Sequence, residues 1–466
     1  MVLGALVVLT VMLTEFQDET AADFGAALSE RDAIKAEFAA KSGVNLTRLL
    51  IAAEPTIRKA LAPLLMMMSR GGPPQIPVWS FADQALGAFN DATGKEAFTA
   101  ISGVNLAEGK NLGLDDSGFE IEVVDEDSKI NLNLAARGEA FSQIRLGGQV
   151  LGLISAPQYD PMFEHRDADG QFSDRQAICS AIVDWADPDQ DTFNCDTNAG
   201  AAQQSGAEDS HYERLKVPYS RKNAAFDSLE ELRLVRGIGD DFWSTFVEPD
   251  PDDTHKRVLT VWGQGLINVN TANPQTILAF LCAPNIGPNN TICVNPVDSA
   301  KFLSALNMVQ GFTMGAPLFG SPRGFVNALQ GKGMFGSVLK LLEIPPVKLI
   351  SPDETAKAIT TESKVFSIYA TGFVRAGKRE TRVRIHTVVD FRGAPPPPEI
   401  KAVMDLMGTG GTAGTGGTGG AAGSSGTAGA GAGGTAGSLP EGAGPDAIAN
   451  AFQASPAGNV VYYRVE

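Results

Sequence analysis

Cysteine and histidine are both scarce in this chain, with four of each in 466 residues. Cys179, Cys195, Cys282 and Cys293 show no CxxC spacing, and only His211 lies near either couple, which argues against a zinc site. Positive charge is also short. Lys and Arg total 37 against 54 Asp and Glu, a net charge of -17. A surface that binds phosphate needs clustered cations, so nucleic acid is a poor partner. Long apolar runs are missing as well. The opening run from Val2 to Thr14 is too short for a bilayer, which takes about 20 residues, and no basic segment precedes it as in a signal peptide.

What remains suffices for a real core. The chain is 43% hydrophobic, and its length allows roughly two to four compact units of about 100–200 residues. The cysteines fall into two local couples, Cys179 with Cys195 and Cys282 with Cys293, each spanning a loop rich in Asn, Asp, Gly and Pro. The expected state is two disulfides, which limit the freedom of the unfolded loops and imply an oxidising compartment. Four buried thiols are the alternative.

No proline interrupts residues 1–54, so the apolar opening runs into one long helix. Leu28, Ala33, Ile34, Phe38, Val44, Leu46 and Leu49 give it an apolar stripe. This layout resembles type IV pilins and pseudopilins, in which the first half of the helix sits in a membrane or filament. On that reading the apolar segment continues upstream of Met1, after a basic leader ending in Gly. A signal anchor followed by a coiled stalk is the alternative.

Along "FEIEVVDEDSKINLNLA" (119–135), Phe119, Ile121 and Val123 alternate with Glu120 and Glu122, the pattern of a half-buried strand. "DEDSK" reads as a turn and "KINLNL" as a second short strand. Residues 136–345 read as mostly helical. In "SLEELRLVRGIGDDFWSTF" (228–246), Ser228 and Glu231 have the spacing of a capping box. The following "RGIG" suggests a helical hairpin, and its acidic flanks disfavour a phosphate-binding role. Asn273 and Pro274 mark another helix start. Two long antiparallel strands are expected within 364–392, and a last one in "GNVVYYRVE". Residues 407–438 are Gly/Ala/Thr-rich and cannot build a core.

"VDWADPDQD", "GAEDSHYERLKVPYSRKN", "SLEELRLVRGIG" and "INVNTANPQTILAFL", in this order between about 119 and 281, resemble the minor pseudopilin K family of type II secretion systems. The resemblance implies an α+β pseudopilin fold, a long helix and a small antiparallel sheet, carrying an inserted all-helical domain of two sterile-alpha-motif-like subdomains. The expected division is a membrane or filament helix (1–55), a first pseudopilin part (56–135) and the helical insertion (136–345). A second sheet part (346–406), the Gly-rich insertion (407–440) and the last strand (441–466) follow. The resemblance also implies an inner-membrane protein with a periplasmic head, matured by a prepilin peptidase. Its partners would be other minor pseudopilins and the major pseudopilin at the tip of a pseudopilus. It implies no enzyme, and nothing in the chain supplies a nucleophile constellation.

Asp184, Asp187, Asp189 and Asp191 crowd into eight positions. The resemblance implies calcium in this acidic, cysteine-bearing loop; Asp187, Asp189 and Asp191 alternate as successive loop ligands often do, and Glu208 is placed to close the cage. The residue types agree, since calcium takes six to eight oxygens in irregular loops. A solvated acidic loop and a catalytic carboxylate pair stay open as alternatives. Asp184, Asp196 and Asp209 are rivals as ligands. "HRDADG" (165–170) reads as a surface turn, because Ile178 stands where an EF-hand needs Glu. As a whole protein, a calcium-stabilised adhesion or binding module is the other reading.

Overall fold

The computed structural model describes residues 2–68, 77–87, 90, 116–164, 166, 170, 172–195, 210–312, 317–377, 379–394, 455 and 457–466. Helix α1 runs Val2–Met68. It therefore continues past Pro55, where the sequence suggests an end; the missing proline amide costs one helical hydrogen bond, the one the carbonyl of Ile51 would accept. Among the described residues no helix is long and apolar enough to cross a membrane. The large apolar residues from Val2 to Leu13 stand exposed.

Among the described residues eight strands follow in chain order. They are β1 (Ser117–Asp125), β2 (Ile130–Asn131), β3 (Leu259–Thr260), β4 (Ile267–Asn268), β5 (Ile359–Thr360), β6 (Val365–Ala376), β7 (Arg379–Asp390) and β8 (Asn459–Val465). The main sheet has the order β1-β6-β7-β8 and every neighbour is antiparallel. The other strands form two short parallel pairs, β2 with β3 and β4 with β5. As the alternation implies, Phe119, Ile121 and Val123 are buried while Glu120 is exposed.

The sheet buries one face under α1. Ala40, Val44 and Ile51 recur at helical spacing and share one apolar cluster with Phe119, Ile121, Ile368 and Ile385. Small residues set the distance. A Cβ on Gly372 would sit 1.9 Å from the Ala36 carbonyl oxygen, so β6 touches the helix backbone itself. Asp32 of α1 is buried, held by Arg31 at 2.8 Å and by Arg379 of β7.

The chain leaves the sheet after Asp125 and returns at Val365. The intervening residues form a largely helical body around a continuous apolar cluster reaching from Ile130 to Ile359. Within it, helix Ala140–Ile154 packs on helix Pro274–Leu281 so closely that a Cβ on Gly152 would lie 2.0 Å from the Ala279 oxygen. Asn273 caps the latter helix as its sequence suggests, accepting from the Thr276 amide at 2.8 Å. Ser228 makes no such cap. The stretch Leu229–Leu234 is a 3-10 helix, and Glu231 instead accepts from the Asp227 amide at 3.0 Å and from Lys222 at 2.9 Å.

The sequence "DEDSK" is more than a turn. Asp125, Glu126, Asp127 and Lys129 are all buried where the two bodies join. Asp125 accepts from Asp127 N at 2.9 Å, from Thr271 Oγ1 at 2.5 Å and from Ser363 Oγ. Glu126 accepts from Lys129 Nζ at 3.1 Å, Thr260 Oγ1 at 2.5 Å and Ser367 Oγ at 2.6 Å. Asp127 takes the amides of Gln264 (2.9 Å) and Lys364 (2.8 Å). Both chain crossings are thus fastened to the helical body by charge-assisted hydrogen bonds.

Candidate functional site: the acidic loop after Trp185

Helix Arg175–Ala186 carries Cys179 on its inner face and ends in the acidic loop. Asp174 starts it by accepting from the Ala177 amide at 2.8 Å. Cys179 is bonded to Cys195, and Cys282 to Cys293, as the local spacing suggests. The first bridge closes the loop onto its own helix. Phe193 and Cys195 lie against Gly147 of helix Ala140–Ile154, where a Cβ would meet the Phe193 ring at 2.8 Å.

The carboxylates divide by role. Asp184 is buried and accepts the Phe193 amide at 2.7 Å, so it pins the returning loop. Asp187 follows the last helical residue and is 1% exposed. Its Oδ2 accepts from Gln143 Nε2 at 3.2 Å, which also reaches Asp189 Oδ2 at 3.4 Å. Asp189 Oδ1 accepts the Asp191 amide at 2.9 Å, a tight Asx turn that leaves Asp191 at the surface. Gln143 therefore links Asp187 and Asp189 through one amide group.

Arg221 is the cation of this site. It donates to the carbonyls of Asp184 (2.8 Å) and Asp189 (3.0 Å), and its nearest approach to the Asp187 carboxylate is 4.0 Å. The Asp187 Oδ1 atom is buried without a hydrogen bond among the described residues. Burial pushes the Asp184 carboxyl up to about 8, and its carboxylate neighbours add to the shift. Burial followed by repulsion from Asp189 pushes Asp187 up to about 7. Carboxylates in this state favour a proton or a cation over bare charge.

The structure thus brings Asp187 and Asp189 together, with Asp191 beside them on the outer side of the loop. Among the described residues no group of three or more His, Cys, Asp or Glu side chains is arranged to hold a metal ion. Glu208, together with Asp196, Asp209, Asp167 and Asp169, lies outside the described residues. The sequence reading passed over Gln143 and Arg221, which sit far along the chain and carry no acidic or sulfur signal. His211 is buried, and His386 lies mid-strand stacked on Tyr369, where burial lowers its pKa to about 4.

Residues 128–245, which hold the whole acidic loop, match the family model of type II secretion system protein K. A search of curated proteins finds no match. Among solved structures the chain is similar to one in the GspK-GspI-GspJ complex of the enterotoxigenic Escherichia coli type 2 secretion system. The identity is 15%, the TM-score 0.36, and the match covers 59% of this chain and 75% of the other.

Proposed function

We propose that this chain, whose residues 128–245 match the family model of type II secretion system protein K, is a minor pseudopilin, an assembly subunit rather than an enzyme. The observation that carries the reading is where the family segment sits. Residues 128–245 form part of a wide body inserted between β1 and β6 of a small sheet packed on a long helix. A helix with an exposed apolar end can pack among partner helices, while a bulky head stops further subunits from stacking above it. The partners are other minor pseudopilins, with the major pseudopilin below, at the tip of a periplasmic pseudopilus that supports export through the outer-membrane secretin. The apolar end of α1 is the part that meets the inner membrane, after maturation by a prepilin peptidase.

Calcium is the cation we propose for the acidic loop. The donor set is all oxygen, the Asp187 Oδ1 atom has no hydrogen bond among the described residues, and a nearby disulfide braces the loop. Asp187 and Asp189 would hold the ion from the inner side, with Asp191 and Glu208 completing the cage. A bound ion would replace Arg221 as the main neutraliser of the loop and fasten the head against the periplasm. Calcium titrated into the purified chain should bind with measurable heat and raise the melting temperature; Asp187→Asn should abolish both. An unchanged melt across calcium and chelator would remove the ion from the account.

The assembly role is tested by complementation. In a strain lacking its own protein K, the full chain should restore secretion, and a version joining Asp125 directly to Val365 should not. Secretion by the shortened chain at the full level would contradict the role given to the head.

A further inference from the structure

Residues 261–351 run against the charge of the rest of the chain. They hold five Lys and Arg against two Asp and Glu, a net charge of +3 within a total of -17. Arg323 pairs with Asp353 at 3.6 Å, but Lys301, Lys332, Lys340 and Lys348 have no ion pair among the described residues. The stretch lies beyond residues 128–245, the part that the family model matches.

Helix Pro296–Phe312, within this stretch, is apolar on two sides. Phe302, Ala305, Leu306 and Val309 are buried in the core of the helical body. Val297, Ala300, Ser304 and Met308 recur at i, i+3, i+7 and i+11 and are exposed. A surface helix ordinarily carries charged and polar groups on that side. Val297 is instead 62% exposed and Met308 51%. Leu342, just past the neighbouring helix Gly333–Leu341, meets this stripe across a groove of about 480 Å³ that opens to solvent, with Lys301 in its wall. Among the described residues nothing covers it.

We propose that this groove is the docking site for an amphipathic helix of a partner protein, an apolar stripe flanked by acidic residues. The shape selects a helix. A trough between two helical elements takes the i, i+3 and i+4 side chains of a third. A small molecule needs a site that encloses most of its surface, and a flat lipid surface leaves the floor of a trough unfilled. The charge selects the flanks. Salt screens exposed charges beyond about 8–10 Å, so an approaching helix meets the unpaired lysines rather than the chain's total of -17. The inference does not depend on the secretion reading.

The test titrates a fluorescent helical peptide, leucines along one stripe and glutamates on both flanks, with the full chain in neutral lipid nanodiscs. Anisotropy should show saturable binding that weakens as salt rises. A twin with lysine for glutamate should bind about tenfold less, the worth of a few surface charge pairs. Val297→Asp should weaken the acidic peptide by roughly tenfold, through loss of one apolar contact, and leave the melting temperature unchanged because Val297 is exposed. Lys301→Glu should weaken the acidic peptide and strengthen the lysine twin, each by about threefold. Opposite shifts in one variant cannot come from misfolding. Equal binding of the two peptides, or an affinity that Val297→Asp leaves unchanged, would overturn the proposal. So would three results that name another occupant. Peptide affinity that rises severalfold when residues 395–454 are deleted identifies the chain's own segment. Self-association that Val297→Asp abolishes identifies a second copy. Anionic vesicles that hold the chain and displace the acidic peptide identify a lipid surface.

Discussion

The sheet body and the helical body are stabilised by different means. The sheet body is a helix laid on four strands, with small residues at the contact and no disulfide among its described residues. The helical body has the larger apolar cluster, yet it also carries both disulfides and a loop of buried carboxylates. Regular elements satisfy their own backbone, so the sheet body can rely on close packing. The helical body is built from short helices and long loops, whose ends need outside partners. Crosslinks and buried polar groups supply them. Stability should therefore fail in different places under different insults.

The largest effect is expected where backbones touch. Gly372→Val should cost about 3 kcal/mol, since overpacking at a backbone contact cannot be relieved by a side chain. Urea unfolding should show the loss in the sheet body. Gly152→Val should do the same in the helical body, because its Cβ would meet the Ala279 backbone. If both variants lowered one shared transition equally, the two bodies would be a single cooperative unit.

Breaking Cys179–Cys195 with Cys195→Ser comes next. Closing a loop of this length is worth about 3 kcal/mol in the chain-entropy model. Limited proteolysis should show cutting near residues 187–195 while the sheet strands stay protected. Cleavage first at the strands would break the comparison.

A smaller effect, with a definite sign, belongs to the junction. Burial and the neighbouring Asp127 raise the Asp125 carboxyl from 3.8 to about 7. A raised carboxyl contributes stability that is fully present below its unfolded pKa and is lost as pH rises through its folded pKa. The window here is about pH 4 to 7. Glu126 acts in the opposite sense. Burial opposes its charge, but Lys129, Ser367 and Thr260 hold its pKa below the ordinary range, so it costs stability in acid. Asp125→Asn should therefore lessen the fall in melting temperature between pH 4 and 7, the raised carboxyls of Asp184 and Asp187 keeping the rest of it, and leave the acid limb in place. A wild-type slope unchanged in the variant would assign the titration elsewhere.

Much of the framework was legible because it is local. Alternation from Phe119 to Val123 gives β1, Asn273 and Pro274 give a helix start, and the cysteine spacing gives both bridges. The junction was not legible, because three consecutive charged residues look like a solvated turn. Their partners Thr260, Thr271, Ser363 and Ser367 lie more than a hundred residues away, and no local pattern announces them. The acidic loop was half legible. Its crowding of Asp is visible in sequence, but the burial of Asp184 and Asp187 depends on Gln143 and Arg221 from other elements. Ser228 shows the opposite failure: the capping spacing is present, but a 3-10 turn takes its place.

The most direct test of the assembly role is co-purification from membranes. Under the proposed role, the full chain should be expressed with the minor pseudopilins of a type II secretion system from the same organism and extracted in mild detergent. The account predicts a stoichiometric complex that also forms when the Gly-rich residues 407–440 are removed. Recovery of the chain alone, with its partners present and folded in the same extract, would contradict it.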